Sequence, residues 1–220
     1  MRRRFAILTV VCLFFLAKGM AQNDSLAYRL TPFVSGGLSI GFFDGKASTN
    51  SVGHTGCHIG IGLQIPFQRG SQNGCCLIPS LRFITKGDSW EMAEKGRVAV
   101  NMQYIEMPVD LAFRAAMKKS YLFIGGGFYL AYGIGGRMTG SDGLYIYHGY
   151  RLKEKPATFS SEVGVARWDS GINLMASYQY RHICFAADID IGLISTVPRR
   201  LDGDNKSTNL AISLGVGYVF

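Results

Sequence analysis

Residues 209–220 read NLAISLGVGYVF, and taking every second residue divides them into two lists. One list is large and apolar: Leu210, Ile212, Leu214, Val216, Tyr218 and Phe220. The other is small or polar: Asn209, Ala211, Ser213, Gly215, Gly217 and Val219. Successive side chains of a β-strand point to opposite faces, so this alternation predicts a strand with one large apolar face and one small face.

The same alternation recurs along the chain. In residues 104–114 a large apolar set opposes a polar set that contains Tyr104, Glu106, Asp110 and Arg114. Six other segments alternate in this way: 32–43, 57–67, 76–86, 121–135, 171–180 and 183–193. With the closing segment they make eight predicted strands.

The composition of the two faces indicates which one is inside. A soluble sandwich also alternates, but its outward face carries Lys, Glu and Thr. Here the polar face is mostly Gly, Ala, Ser and Asn with scattered charges, which suits a narrow lumen, and the large face suits lipid. The sequence therefore predicts an all-β fold, an eight-stranded antiparallel up-and-down transmembrane β-barrel whose closure leaves no free strand edge.

The predicted connections alternate in length. They are about 13 residues after the first strand, then about 8, 17, 6, 34, 2 and 13. The short turns are QRGSQNG, AAMKK and RH. An even number of strands puts both termini on the side of these turns, so we expect both termini in the periplasm and the long loops outside the outer membrane of a Gram-negative bacterium.

Residues 1–21, MRRRFAILTVVCLFFLAKGMA, have the layout of a cleaved secretory signal. The apolar run is too short to span a bilayer, and small residues precede the expected cut. Residues 22–220 are then one barrel domain. Removing the signal lowers the formal net charge from +8 to +4, since four basic residues and no acid are lost. No basic stripe with interleaved aromatics remains, so we expect no nucleic-acid partner.

Four cysteines follow the signal: Cys57, Cys75, Cys76 and Cys184. An even number in an exported chain suggests disulfides, but Cys75 and Cys76 are adjacent and Cys57 is predicted at the opposite end of its hairpin. We therefore predict no disulfide framework. No CxxC pair occurs, and we predict no metal site and no cofactor.

Charged residues on the predicted lumenal face are the candidate site. They are Arg82, Lys86, Glu106, Asp110, Arg114, Asp188 and Asp190, with Arg167 and Asp169 near a strand start. One interpretation is a path for a ligand or ions. The other is structural: eight strands enclose little more than side chains, so the charges pair with one another, with Arg82 facing Glu106 or Asp110 on an adjacent strand. We favour the structural interpretation. Pro108 is interpreted as a bulge or bend.

Three stretches resemble a known family: YIEMPVDLAFR at 104–114, RWDSGINLMASYQY at 167–180 and LGVGYVF at 214–220. They are similar to the outer-membrane β-barrel domain family called PorT-like or porin-family, typical of Bacteroidetes-type bacteria. The resemblance implies a small outer-membrane barrel, and some members belong to the type IX protein-secretion machinery. It also implies that Tyr218 and Phe220 form the C-terminal signal that the barrel-insertion machinery reads.

Several functions stay open at this point. A structural or interaction role comes first, and its partners are outer-membrane lipid and a protein met through the long loops, of which residues 136–160 display Tyr145, Tyr147 and Tyr150. A component of secretion or envelope assembly comes second and a small-solute porin third. A lipid-modifying enzyme comes last, because no motif orders His54, His148, Ser51 and Ser141 into a triad, and we predict no catalytic residue.

Overall fold

The computed structural model describes residues 30–45, 51–67, 73–92, 96–140, 145–147, 150–152, 157–161, 163–196 and 207–220. The predicted signal, residues 1–21, lies outside these ranges, as do Ser141 and His148. In the described part of the chain, no helix is long and apolar enough to cross a membrane.

The described residues form eight long strands and three short ones. The long strands are β1 Thr31–Asp44, β2 His54–Pro66, β3 Gly74–Met92, β4 Gly96–Met117, β5 Ser120–Gly135, β9 Trp168–Tyr180, β10 Ile183–Gly192 and β11 Thr208–Val219. The short strands are β6 Met138–Gly140, β7 Tyr145–Tyr147 and β8 Tyr150–Leu152.

The long strands form a closed ring. Each pairs antiparallel with the long strands next to it in the chain, and β1 pairs with β11 from Phe33↔Val219 to Asp44↔Thr208. β6 pairs with β4 at the end of the barrel opposite the termini, here called the outer end, while β7 and β8 form a separate hairpin. The predicted fold class, an eight-stranded antiparallel up-and-down barrel, is confirmed. Its closure leaves no unpaired edge along the ring.

The large apolar side chains face outward. Leu38 and Leu214, which are partners in the β1–β11 ladder, are each 64% exposed, whereas their neighbours Ser39 and Ser213 are buried in the lumen. Phe128 on β5 is 71% exposed. A continuous apolar outer band with a small, polar inner face is the arrangement that a transmembrane barrel requires.

Connections at the two ends of the ring differ in length. At the end that holds both termini of the barrel, the strands are connected by residues 67–73, 118–119 and 181–182. The predicted connection of about 17 residues after the third strand is wrong, because β3 continues to Met92 and β4 begins at Gly96. In the added part of β4 the inner face is apolar instead of polar, because Val98, Val100 and Met102 face inward. An apolar inner face is the pattern of a hairpin that has left the hydrocarbon.

The β3–β4 hairpin leans over the outer end of the barrel and contacts β1. The Ser39 hydroxyl donates to the Thr85 carbonyl at 2.7 Å, and the Phe43 amide donates to the Asp88 carboxylate at 3.0 Å. Gly41 and Gly87 let the two backbones approach, because a Cβ on Gly41 would lie 2.6 Å from the Gly87 nitrogen. This packing narrows the outer opening of the lumen.

Pro108 does not shift the strand register. Pro79↔Val109 and Arg82↔Glu106 belong to one unbroken register, with pairing to β3 interrupted between them. The irregularity of β4 lies instead between Gln103 and Tyr104, against β5. The proline therefore removes a ladder hydrogen bond locally, as expected from its missing N–H, without making the predicted bulge.

Gly87→Ala is expected to lower the stability of the barrel by more than about 1 kcal/mol. Residue 87 has a φ of 140°, and an added Cβ would collide with the Val100 carbonyl oxygen. Gly36→Ala is the control, since the nearest atom to its added Cβ is 3.4 Å away. Urea unfolding in detergent micelles, followed by tryptophan fluorescence, measures both. Equal midpoints for the two variants would contradict the close approach.

Candidate functional site

The lumen is filled in three layers. The outermost, here the mouth cluster, is apolar: Phe43, Ile84, Val98, Val100, Met102, Tyr104, Tyr129, Ala131, Met138, Val163 and Val165, with Phe159 packed against them. The middle layer, here the charge network, consists of Arg82, Lys86, Glu106, Asp169, Asp188 and Asp190. The layer nearest the termini, here the base cluster, consists of Cys76, Ile78, Ala112 and Phe123, with Phe33, Tyr121 and Met175.

Arg82 connects neighbouring strands to the far wall. It lies directly opposite Glu106 in the β3–β4 ladder, and its Nη2 is 2.5 Å from Glu106 Oε1. The same nitrogen is 2.6 Å from Asp190 Oδ1 on β10, and Nη1 is 3.8 Å from Asp188 Oδ2. A guanidinium suits this position because its several fixed donors can reach more than one carboxylate.

Lys86 lies four residues further along β3 than Arg82, closer to the mouth, and is fully buried. Its Nζ is 2.5 Å from Glu106 Oε2, 3.4 Å from Asp190 Oδ2 and 3.7 Å from Asp169 Oδ2. The ammonium also lies 4.1 Å from the centroid of the Tyr129 ring. Glu106 therefore binds both cations of the network, one with each oxygen, and a desolvated cation over an aromatic face is favourable.

Neutral side chains complete the network. The Asn173 amide donates to Asp190 Oδ1 at 2.6 Å, and the Asn209 amide donates to Asp169 Oδ2 at 2.9 Å. The Tyr129 hydroxyl donates to the same Asp169 oxygen at 3.3 Å. Sequence reasoning did not single out these three residues. All three have the parity of the lumenal face of their strands, which is the signal that would have found them.

The other predicted site residues lie elsewhere. Asp110 is 4% exposed and lines the lumen between Arg82 and the base cluster, outside the set of ion pairs. Arg114 lies near the termini with its guanidinium 5.4 Å from the Tyr121 ring centroid. Arg167 donates to the Gly133 carbonyl at 2.9 Å and lies over Phe159. Arg82, Glu106, Asp188 and Asp190 are thus brought together, and Arg114 is not.

Acidic side chains outnumber basic ones in and around the charge network. Arg82 and Lys86 are matched with five buried or nearly buried carboxylates: Glu106, Asp110, Asp169, Asp188 and Asp190. Removing one partner from a buried ion pair leaves a charge in a medium that solvates it poorly, at a cost of about 3–5 kcal/mol. The network therefore holds together strands from opposite walls of the ring.

A segment of the long connection after β5 closes the outer end. The Thr158 amide donates to the Gly136 carbonyl at 3.2 Å, and its hydroxyl donates to the Asn101 carbonyl at 2.7 Å. Phe159 packs edge-on against Tyr104, with ring centroids 5.5 Å apart. Residues 157–160, the last part of the predicted outer loop, thus fold back onto the barrel, and Val163 and Val165 follow into the mouth cluster.

The residues considered for catalysis have other partners at the rim. The Ser51 hydroxyl donates to the Asp88 carboxylate at 2.7 Å, and His54 Nε2 contacts the Asn101 amide nitrogen at 3.0 Å. His54 and His58 share one face of β2, but four residues of strand separate their backbones by about 13 Å. Among the described residues, no group of three or more His, Cys, Asp or Glu side chains is placed to hold a metal ion.

Residues 218–220 lie where β11 closes against β1. The Phe220 amide donates to the Pro32 carbonyl at 3.0 Å. Tyr218 and Phe220 are about half exposed on the outer face, with ring centroids 5.2 Å apart, and His182 stacks on Tyr218. These rings form part of an aromatic girdle at the terminal end of the barrel, as membrane interfaces favour.

A closed ring of eight strands, apolar outside and packed inside, defines a small outer-membrane β-barrel protein. The chain belongs to the outer membrane protein β-barrel domain family, whose model matches residues 20–197. Membership places it in the outer membrane of Gram-negative bacteria. A search of curated proteins finds no match.

Solved structures with a similar chain path are outer-membrane barrels. Ail of Yersinia pestis, solved in complex with the heparin analogue sucrose octasulfate, is 12% identical, with 87% of this chain and 99% of that chain covered and a TM-score of 0.45. Neisserial surface protein A is 10% identical, with 86% and 97% covered and a TM-score of 0.45. OprG of Pseudomonas aeruginosa is 10% identical, with 87% and 96% covered and a TM-score of 0.42.

Proposed function

We propose that this protein is a non-conducting outer-membrane barrel with a structural or interaction role, which meets its partner through the connections at the outer end. The observation that carries the proposal is the filled lumen, in which an apolar mouth cluster, a charge network and an apolar base cluster follow one another along the axis. A solute path would need a continuous polar channel. Function is then left to the surfaces outside the membrane.

The lengths of the connections at the two ends of the barrel support an orientation in the membrane. Short turns, including the exposed Lys118, Lys119 and Arg181, lie with the termini, and the hairpins β3–β4 and β7–β8 lie on the connections of the other end. In outer-membrane barrels the short turns are periplasmic. This supports periplasmic termini and an outward-facing β7–β8 hairpin. The rim contacts of Ser51 and His54 support a non-enzymatic role.

The β7–β8 hairpin can be removed without moving its ends. Arg137 and Ala157 form a bridge, and Thr158 is hydrogen-bonded to Gly136, so a short Gly/Ser linker in place of residues 141–154 keeps the mouth cluster in place. We expect cross-linking in native outer membranes to capture a protein with the full chain and not with the linker variant. Capture of secretion or envelope-assembly proteins would assign the chain to that process.

Conductance measurements provide a second test of the proposed function. The purified full chain in planar bilayers is expected to show no stable channel steps, because three packed layers block the lumen. Reproducible steps would contradict the proposal in favour of a small-solute pore. Equal capture by the full chain and the linker variant would contradict the role of the hairpin while leaving the closed lumen intact.

A further inference from the structure

A cavity of about 60 Å³ lies in the lumen between Arg82 and the base cluster. Its apolar floor includes Phe33, Ile78 and Phe123. Ile61, Pro108, Met175, Cys184 and Ala186 add to the apolar part of the wall. The polar side chains on the wall are Ser35, His58, Gln64, Ser80, Arg82, Asp110, Ser177 and Asp188. The cavity is large enough for a few water-sized groups and too small for a sugar or a nucleotide.

Two deeply buried polar atoms on this wall have no hydrogen-bond partner. Asp110 is 4% exposed, and its Oδ1 has no partner among the described residues. His58 is 6% exposed, and its Nδ1 likewise has no partner in the described part of the chain. An unsatisfied buried carboxylate oxygen costs free energy unless a ligand completes it. Both atoms belong to residues that line the same small cavity.

The charge around the cavity selects the sign of the ligand. The Arg82 guanidinium is held by Glu106 and Asp190 at 2.5 and 2.6 Å, and it lies farther from Asp188, at 3.8 Å. Asp110 and Asp188 therefore face the cavity with their charges only partly compensated. Three hydroxyls and a histidine lone pair are also available, and carboxylate and hydroxyl oxygens are the ligands of small, hard cations.

We propose that this cavity binds one small hydrated cation, of the sodium or magnesium type, between Asp110 and Asp188. Direct ligation by three side chains is not part of the proposal, since the described residues hold no such group. Water molecules shared with the serine hydroxyls and His58 complete the shell. The cation offsets part of the charge of these two carboxylates. This inference concerns only the lumen and does not depend on the partner of the outer loops.

The test compares small and bulky cations in the folded protein. The full barrel domain is refolded into phosphatidylcholine vesicles, which carry no net charge, and unfolded with urea at constant ionic strength. Sodium chloride or magnesium chloride is compared with N-methylglucamine chloride, whose cation is too large for the cavity. Once the site is saturated, the ratio of folded to unfolded protein is expected to rise about tenfold for each tenfold increase in the small cation.

Two variants locate the effect. Asp110→Asn should abolish the difference between small and bulky cations, whereas Asp44→Asn, an exposed residue at the outer end of β1, should keep it. Identical wild-type midpoints in sodium, magnesium and N-methylglucamine overturn the proposal, whether or not Asp110→Asn folds. A midpoint that changes with pH but not with the cation also overturns it, because Asp110 then holds a proton. A difference that persists in Asp110→Asn overturns the assignment to this cavity.

Discussion

Replacing Glu106 with glutamine is expected to destabilise the barrel by about 3–5 kcal/mol. Glu106 is fully buried and is the one carboxylate that lies 2.5 Å from both Arg82 and Lys86. An uncharged amide removes the shortest carboxylate contact of each cation, so Arg82 keeps Asp190 and Lys86 keeps only contacts of 3.4 and 3.7 Å. Urea unfolding in lipid vesicles, together with the heat-dependent shift in electrophoretic mobility that folded barrels show, measures the loss.

Asp188→Asn is the matched control for Glu106→Gln. Asp188 belongs to the same network, but it is 3.8 Å from Arg82 and its side chain is 17% exposed. We therefore expect its replacement to cost much less than that of Glu106. A Glu106→Gln barrel as stable as Asp188→Asn would show that the network does not hold the ring.

Leu214→Arg is expected to cost about 2–4 kcal/mol in a bilayer. Leu214 lies midway along β11 with 64% of its side chain exposed on the outer face, opposite Leu38. If this face contacts hydrocarbon, an arginine there has neither water nor a counter-ion. Unfolding from lipid vesicles measures the cost.

Leu193→Arg is the control for depth. Leu193 is 61% exposed and follows β10 at the outer end of the barrel. Near the membrane interface the same substitution costs about 0–1 kcal/mol. Equal costs at the two positions, or no cost at Leu214, would contradict the assignment of the outer band to lipid.

Alternation together with the composition of the two faces was sufficient to predict the barrel and its inner face. Leu214 and Leu38 share a parity with every exposed apolar residue of their strands, and that parity is a local property of the sequence. Arg82 was expected to face Glu106 or Asp110. Strand register decides between them, and it sets Arg82 opposite Glu106. Register depends on turns and packing along the whole hairpin, so alternation could not decide whether Arg82 faces Glu106 or Asp110.

Three features could not be predicted from the pattern. The outer half of the β3–β4 hairpin carries apolar residues on its inner face, the reverse of the lipid-exposed pattern, so it was interpreted as a loop. Phe159, Val163 and Val165 enter the mouth without any regular period. The contacts of Lys86 with Asp169 and Asp190 cross the lumen, and they depend on the tilt and stagger of the closed ring.

The distribution of charge over the hairpins has a consequence for assembly. β3–β4 carries Arg82 and Lys86 together with Glu106 and Asp110, so this hairpin is balanced within the network and its surroundings before any other strand arrives. β9–β10 carries Asp169, Asp188 and Asp190, and the cations that neutralise them lie on the far wall. The β3–β4 hairpin can therefore enter the bilayer as a neutral unit. The β9–β10 hairpin becomes neutral only when the barrel closes. If assembly of the barrel stalls, we therefore expect it to stall with the carboxyl-terminal half of the chain still at the periplasmic surface.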